Sequence, residues 1–181
     1  MVITGYLVTL DQPWRVMAGT IYSYLANDHR RLEDTLQRAT SPDGAIEPQA
    51  YSEFRAGLLR HIGMEEKILL PAAKAARGGK ALSLAPKLRL DHGALAALLV
   101  LTPTNSIIAA IRSILAAHNP IEEGPDGVYE QCEQLRGSEA DQILHRLRSF
   151  PAVAMAAYVD SPVAMASARN ALQRAGYDLK F

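Results

Sequence analysis

Four histidines and two glutamates of this chain stand in rows of apolar residues that have the spacing of one helix face. The first two rows read Ile21, Leu25, His29, Leu32, Leu36 and Phe54, Leu58, His61, Glu65, Ile68. The other two read Leu88, His92, Leu95, Leu99 and Ile107, Ile111, Ile114, His118, Glu122. Because every step is three or four residues, each row lies on one side of its helix. The sequence therefore places six polar groups where a helical core should be apolar.

Metal binding is the chemistry that would satisfy these groups together. A buried carboxylate without a partner is strongly unfavourable, and so is an unpaired imidazole. The residues of the pairs His61–Glu65 and His118–Glu122 are four positions apart, so each pair points the same way, about 6 Å apart along the axis. Imidazole and carboxylate suit iron, manganese or zinc, and a carboxylate can bridge two ions. We predict a dinuclear centre with the ligands His29, His61, Glu65, His92, His118 and Glu122.

The candidate ligands occur in a pattern that the chain repeats. Asp-His followed by His-x-x-x-Glu-Glu is found first at 28–29 and 61–66, then at 91–92 and 118–123. This repeat predicts a pseudo-twofold arrangement about the centre. The adjacent acids Asp28, Asp91, Glu66 and Glu123 are interpreted as facing solvent, because neighbouring helical residues point about 100° apart. For the two aspartates the alternative is a hydrogen bond from an imidazole N–H.

Proline and glycine divide the chain into the helices that must carry these rows. Helices are expected over about 13–39, over 48–77 with a bend at Pro71, from near 86 to before 103, and from 104 or 105 to 123. After an interruption at 124–127, a short helix is expected to run to 135. The 124–127 segment (Gly-Pro-Asp-Gly) should break the helix and expose one side of the site. Ser138 is expected to cap a further short helix, and a last short helix is expected between Ser161 and Gly176. The prediction is an all-α single domain: an up-down four-helix bundle over about 13–137 with a helical C-terminal extension over 138–181.

Composition excludes several classes of function. Nineteen basic residues balance nineteen acidic ones, so no basic field favours nucleic acid. One cysteine, Cys132, excludes an intrachain disulfide framework and a cysteine-only zinc site. The first residues lack the pattern of a signal peptide, and the apolar runs fall short of the ~20 residues of a spanning helix. We expect a cytoplasmic protein without a membrane or nucleic-acid partner.

The remaining polar and aromatic candidates have simpler interpretations. Tyr22 and Tyr24 lie about a turn or two before His29 and are expected to pack. Cys132 is interpreted as a structural thiol, His145 as a surface residue, and Trp14 as packing of the chain on the bundle.

The segments DHRRLE, HIGMEEKILLP, DHGAL and HNPIEE resemble the hemerythrin-like family, or HHE cation-binding domain. The resemblance covers roughly 22–135. It implies a four-helix bundle around two oxo- or hydroxo-bridged iron ions that bind dioxygen or nitric oxide, or that sense iron or redox state. Ala96 stands where hemerythrins have a further histidine, and Glu122 lies four rather than five residues after His118. The site therefore resembles the family members with four histidines and two glutamates.

Several functions stay open at this point. The first interpretation is a non-enzymatic protein that binds a diatomic gas or handles iron, as a homodimer or with an unknown downstream protein. An oxidase or peroxidase-like enzyme could use the same centre, although ferritin-like oxidases use Glu-x-x-His rather than His-x-x-x-Glu. The third interpretation is a metal-free helical interaction module. The fourth is a bis-histidine haem bundle, although haem would leave the two glutamates without a role.

Overall fold

The computed structural model describes residues 20–136 and 139–181, which are helical and contain no strand beyond one isolated bridge. The helices are α1 Thr20–Arg38, α2 Pro48–Met64, α3 Leu70–Ala76, α4 Ala85–Leu98, α5 Asn105–Glu123, α6 Val128–Arg136, α7 Ala140–Arg148 and α8 Pro162–Ala175. A π-helical turn, Glu65–Leu69, joins α2 to α3. The all-α prediction is confirmed for these ranges. Residues 13–19 of the first predicted helix, including Trp14, and the predicted cap Ser138 lie outside the described residues.

Several helix ends follow signals that are local in the sequence. The Thr104 hydroxyl accepts a hydrogen bond from the Ile107 N–H at 3.2 Å and caps α5. Ser161 caps α8 in the same way, accepting from the Ala164 N–H at 3.2 Å. Gly176 ends α8 at φ 87°, a left-handed conformation that glycine adopts without a steric penalty. These short polar and glycine residues mark the helix limits through contacts that are local in the sequence.

The bend predicted at Pro71 takes the form of a wider helical turn. A proline inside a helix removes one hydrogen bond and clashes with the carbonyl four residues earlier, here that of Lys67. The π-helical turn covers that residue and begins at Glu65. The irregularity therefore starts at a candidate ligand, as is common for π-helical turns at functional sites.

The candidate ligands form a polar layer between two apolar clusters. The first cluster includes Leu32, Leu36, Phe54, Leu58, Leu95 and Ile111. The second includes Ile21, Leu25, Met64, Leu88, Val128 and Cys132. Each of α1, α2 and α4 contributes to both clusters, and its histidine falls between the two contributions along the chain. Apolar packing on both sides thus fixes the level at which the histidines meet.

The C-terminal extension packs onto the helices that carry the ligands. Helix α8 lies along α4 and buries Ala168 and Leu172 in the first cluster. Buried Arg55 donates hydrogen bonds to the Leu99 carbonyl at 2.6 Å and to the Ala156 carbonyl at 2.8 Å. These contacts hold the extended chain between α7 and α8 against the core. None of the helices described here is long and apolar enough to cross a membrane.

Candidate metal centre

The structure brings all six predicted ligands together, and none of them is more than 6% exposed. They form two groups of four, and within each group the ligand atoms lie within 4.8 Å of one another. We call the first group site A; it contains His29, His61, Glu65 and Glu122. We call the second group site B; it contains Glu65, His92, His118 and Glu122. Either group could hold a metal ion.

Glu65 belongs to both sites and turns one carboxylate oxygen toward each. Its Oε1 lies 3.3 Å from His61 Nε2 in site A. Its Oε2 lies 3.2 Å from His92 Nε2 in site B. The side chain stands at the start of the π-helical turn, one helical turn after His61.

Glu122 is shared in the same way from the opposite half of the repeat. Its Oε2 lies 3.4 Å from His29 Nε2 in site A, and its Oε1 lies 3.2 Å from His118 Nε2 in site B. Since a carboxylate can bridge two ions, Glu65 and Glu122 are placed to join the two sites. The internal repeat thus produces two sites, each with two histidines and two glutamates.

A carboxylate accepts a hydrogen bond from the outer nitrogen of each histidine of site A. His29 Nδ1 lies 2.6 Å from Glu123 Oε1, and His61 Nδ1 lies 2.9 Å from Asp28 Oδ2. An Nδ1–H that donates outward leaves the Nε2 lone pair directed at the site, the tautomer that a metal ion requires. The interpretation of Glu123 and Asp28 as solvent-facing is wrong.

The histidines of site B have the same kind of partner. His92 Nδ1 lies 2.8 Å from Glu66 Oε1, and His118 Nδ1 lies 3.3 Å from Asp91 Oδ2. The solvent-facing interpretation is therefore wrong for Glu66 and Asp91 as well, and Asp91 is fully buried. We call Asp28, Glu66, Asp91 and Glu123 the outer carboxylates. Each leaves the ligand face of its own helix and contacts a histidine of a neighbouring helix, while Glu66 and Glu123 also keep 25% and 26% of the side chain exposed.

The contacts of the outer carboxylates follow the internal repeat. The aspartate of each half accepts from the His-x-x-x-Glu histidine of the same half. The second glutamate of each half accepts from the single histidine of the other half. Every polar residue of the repeated pattern thus has a place in the centre, which is why the pattern includes Asp-His and Glu-Glu doublets.

Opposite charges outweigh the cost of burial in the metal-free site. Burial opposes protonation of His61, but the Glu65 carboxylate and the hydrogen bond to Asp28 raise the pKa of His61 to about 10. Burial likewise opposes protonation of His92, whereas the nearby Glu122 and Glu65 carboxylates raise its pKa to about 12. Burial favours a neutral Glu65, yet His61 holds the pKa of Glu65 well below its ordinary value. Protonated histidines therefore balance the glutamates, and a metal ion would replace those protons.

Orphaned polar atoms in site B show that the donor set fits a metal ion. Among the described residues, Glu65 Oε2, His92 Nε2 and Glu122 Oε1 are buried without a hydrogen-bond partner. Although His92 Nε2 and Glu65 Oε2 are 3.2 Å apart, they are not aligned for a hydrogen bond. Buried polar groups without partners are costly and rare in folded proteins. A cation between these nitrogen and oxygen atoms would satisfy all of them.

The break after α5 adds a residue that sequence analysis missed. Tyr129, in the first turn of α6, is fully buried, and its hydroxyl donates to Glu65 Oε1 at 2.6 Å. The Tyr129 hydroxyl oxygen also lies 3.1 Å from Glu122 Oε2, 3.1 Å from His29 Nε2 and 3.2 Å from His61 Nε2. Burial, with the Glu122 and Glu65 carboxylates, holds the pKa of Tyr129 well above its ordinary value. No motif pointed to Tyr129, because it follows the break instead of continuing a ligand row.

The predicted break itself is confirmed, but its predicted effect is wrong. α5 ends at Glu123 and α6 begins at Val128, with Asp126 at φ 56° between them. The break was expected to expose one side of the site. Instead, the turn directs α6 back to the centre, where Tyr129 contacts four ligands and Glu122 has no exposed surface.

The other residues singled out in the sequence pack around the candidate ligands or lie on the surface. The Tyr22 hydroxyl donates to the Glu123 carbonyl at 2.7 Å, and the Tyr24 hydroxyl lies 3.9 Å from the Met64 sulfur. Cys132 is fully buried in the second apolar cluster, as expected of a structural thiol. His145 lies on the exposed side of α7, as predicted.

Comparison with protein-family models, with curated proteins and with solved structures finds no match for this chain.

Proposed function

We propose that this protein is a hemerythrin-like, dinuclear metal-binding protein that holds one iron ion in each of sites A and B and binds or senses dioxygen or nitric oxide. The bundle of that family would be formed here by α1, the α2–α3 segment, α4 and α5. The observation that carries the proposal is the sharing of Glu65 and Glu122, each with one oxygen toward each site. When bound, two iron ions supply reversible oxidation and open positions for a small gas.

The chain's own residues hold and orient the ligands. The outer carboxylates fix the tautomer and the rotation of all four imidazoles, so that every Nε2 points to a site before any ion is bound. The two apolar clusters limit the access of water and lower the local dielectric constant, which strengthens charge interactions at the ligands. A metal-free interaction module would not need six convergent buried ligand atoms or the orphaned atoms of site B.

The proposal is tested by measuring metal content. Protein produced with iron and analysed by mass spectrometry of the elements is expected to contain two iron ions per chain. Glu65→Ala removes a donor from both sites and should abolish binding, while His61→Ala removes a donor from site A and should lose at least that ion. His145→Ala changes an exposed histidine and should keep both ions. Wild-type protein without bound metal would contradict the proposal and favour a metal-free module.

Gas binding is a separate test on the metal-loaded protein. Addition of nitric oxide under nitrogen, or of dioxygen to the reduced protein, is expected to change the visible absorption spectrum. An unchanged spectrum with both gases would keep the metal site but exclude gas binding. Turnover of peroxide with a reductant, well above that of free iron, would instead favour an oxidase or peroxidase-like enzyme.

A further inference from the structure

Tyr129 is the buried side chain whose position the proposed metal centre leaves unexplained. It comes from α6, outside the four ligand rows, and its hydroxyl contacts one donor atom of every member of site A. The four distances span only 2.6 to 3.2 Å. A tyrosine that merely packed against the centre would have no reason to direct its oxygen equally at all four groups.

When its histidines are neutral, as ligation of a metal ion requires, site A has more hydrogen-bond acceptors than donors. A phenol has one proton to donate, and carboxylate oxygens only accept. The imidazoles of His29 and His61 use Nδ1–H for Glu123 and Asp28, so in the neutral form their Nε2 atoms are acceptors too. One proton then faces four acceptors, and a cation is the missing partner. Because metal binding displaces the protons of its ligands, the phenol oxygen becomes a fifth donor.

The distances around the hydroxyl agree with those between neighbouring ligands of one ion. For metal–ligand bonds of about 2.0–2.2 Å, donors at right angles lie about 3 Å apart. The Tyr129 oxygen is at about that separation from all four donors of site A. Within site A, His61 Nε2 and Glu65 Oε1 are 3.3 Å apart. The phenol oxygen therefore belongs to the same set of donors.

Site B differs from site A in this respect. Among the described residues, its atoms Glu65 Oε2, His92 Nε2 and Glu122 Oε1 lack any hydrogen-bond partner. The Tyr129 hydroxyl contacts the other oxygens of the two shared glutamates, Glu65 Oε1 and Glu122 Oε2. The internal repeat thus produces two sites of the same His2Glu2 composition, and α6 makes them unequal.

We propose that Tyr129 is a seventh protein ligand of the centre, coordinating the ion of site A through its phenolate oxygen. This inference rests on the proposed function, since it requires an ion in site A. It makes site A a five-donor site and leaves site B with four protein donors. An added small ligand is therefore expected at the ion of site B.

The test uses the colour that phenolate gives to ferric iron. Wild-type protein loaded with ferric iron is expected to show a visible phenolate-to-iron charge-transfer band and, by resonance Raman, the ring modes of a coordinated tyrosinate. Tyr129→Phe should lose the band and the modes while it still binds iron. Tyr22→Phe is the matched control, because the Tyr22 ring lies 6.1 Å from the Tyr129 ring and its hydroxyl donates to a backbone carbonyl, that of Glu123. That variant should keep both signals.

Two negative results have different meanings. Wild-type protein that binds iron but lacks tyrosinate modes overturns the role of Tyr129 and leaves the proposed function intact. Protein that binds no iron overturns both. If Tyr129→Phe does not fold, ring-deuterated tyrosine in the wild type decides the matter: the modes should shift, and they should persist in Tyr22→Phe and Tyr24→Phe. Loss of the modes in either of those variants would assign the ligand to another tyrosine and overturn the proposal.

Discussion

The outer carboxylates explain how four imidazoles are oriented toward one small volume. Each ring has an outer carboxylate at Nδ1 and a shared glutamate near Nε2, as His61 has Asp28 and Glu65. The carboxylate fixes both the tautomer and the rotation of the ring. The conformational entropy of the candidate ligands is therefore lost on folding and not on metal binding. Metal affinity should then depend on residues that do not touch the ion.

Asp28→Asn tests this dependence in site A. The variant keeps the shape of the side chain but removes the charge that orients His61, so metal affinity should fall about 10- to 100-fold. Competition with a chelator of known affinity would measure the change. Asp34→Asn alters an exposed aspartate of the same helix and should bind metal like the wild type. Equal affinity in Asp28→Asn and wild-type protein would contradict the orienting role.

The turn between α5 and α6 positions Tyr129, and Gly127 makes that turn possible. A Cβ atom at Gly127 would lie 2.5 Å from the Glu122 carbonyl oxygen and 2.6 Å from that of Gly124. Both neighbours are backbone atoms, so neither can move aside as a flexible side chain would. Any side chain at this position must therefore widen the turn and shift α6 relative to the ligand helix.

Gly127→Ala is expected to destabilise the protein by about 1–3 kcal/mol, the usual cost of forcing an extra group into a packed region. Urea unfolding followed by circular dichroism would measure the free energy of unfolding. Gly93→Ala is the matched control: nothing lies within 4 Å of its added Cβ, so the higher helix propensity of alanine should stabilise α4 by about 0.5–1 kcal/mol. Equal stability of Gly127→Ala and wild-type protein would show that the turn is not constrained.

The stability of the whole metal-free molecule should depend on the protons held by its buried histidines. Burial opposes protonation of His118, but the hydrogen bond to Asp91 and the nearby Glu122 carboxylate raise its pKa to about 9, and the pKa of His61 is raised to about 10. In the unfolded chain a histidine titrates near 6.5. A raised pKa contributes stability that is complete below pH 6.5 and is lost as the pH rises through the folded value.

We therefore expect the free energy of unfolding of the metal-free protein to fall between pH 6.5 and 8.5, by at least about 1 kcal/mol. Urea unfolding at several pH values, in the presence of a chelator, would show the decline. His61→Gln should reduce the slope, whereas His145→Gln, which changes an exposed histidine, should not. A free energy of unfolding that stays constant over this range would mean that the buried histidines are already neutral.

Much of the architecture could be predicted because it depends on local rules. The fourth helix of the structure starts one residue before the predicted Pro86, and Thr104, Ser161 and Gly176 mark helix ends as their types indicate. The six candidate ligands also followed from local periodicity, since a polar residue in an apolar row must lie inside. The same periodicity was also used to predict that the four outer carboxylates face solvent, and that prediction is wrong.

Helical periodicity predicts which face of a helix a residue occupies. It does not predict which neighbouring helix packs against that face. Asp91 leaves the ligand face of α4 but meets His118 of α5, because the helices pack closely enough that the next face is also covered. The sequence by itself determined the main helices, the row of candidate ligands in each of four helices and the twofold repeat. Only the tertiary structure decided which carboxylate holds which histidine and brought Tyr129 to site A, because contacts between distant segments depend on how the helices pack.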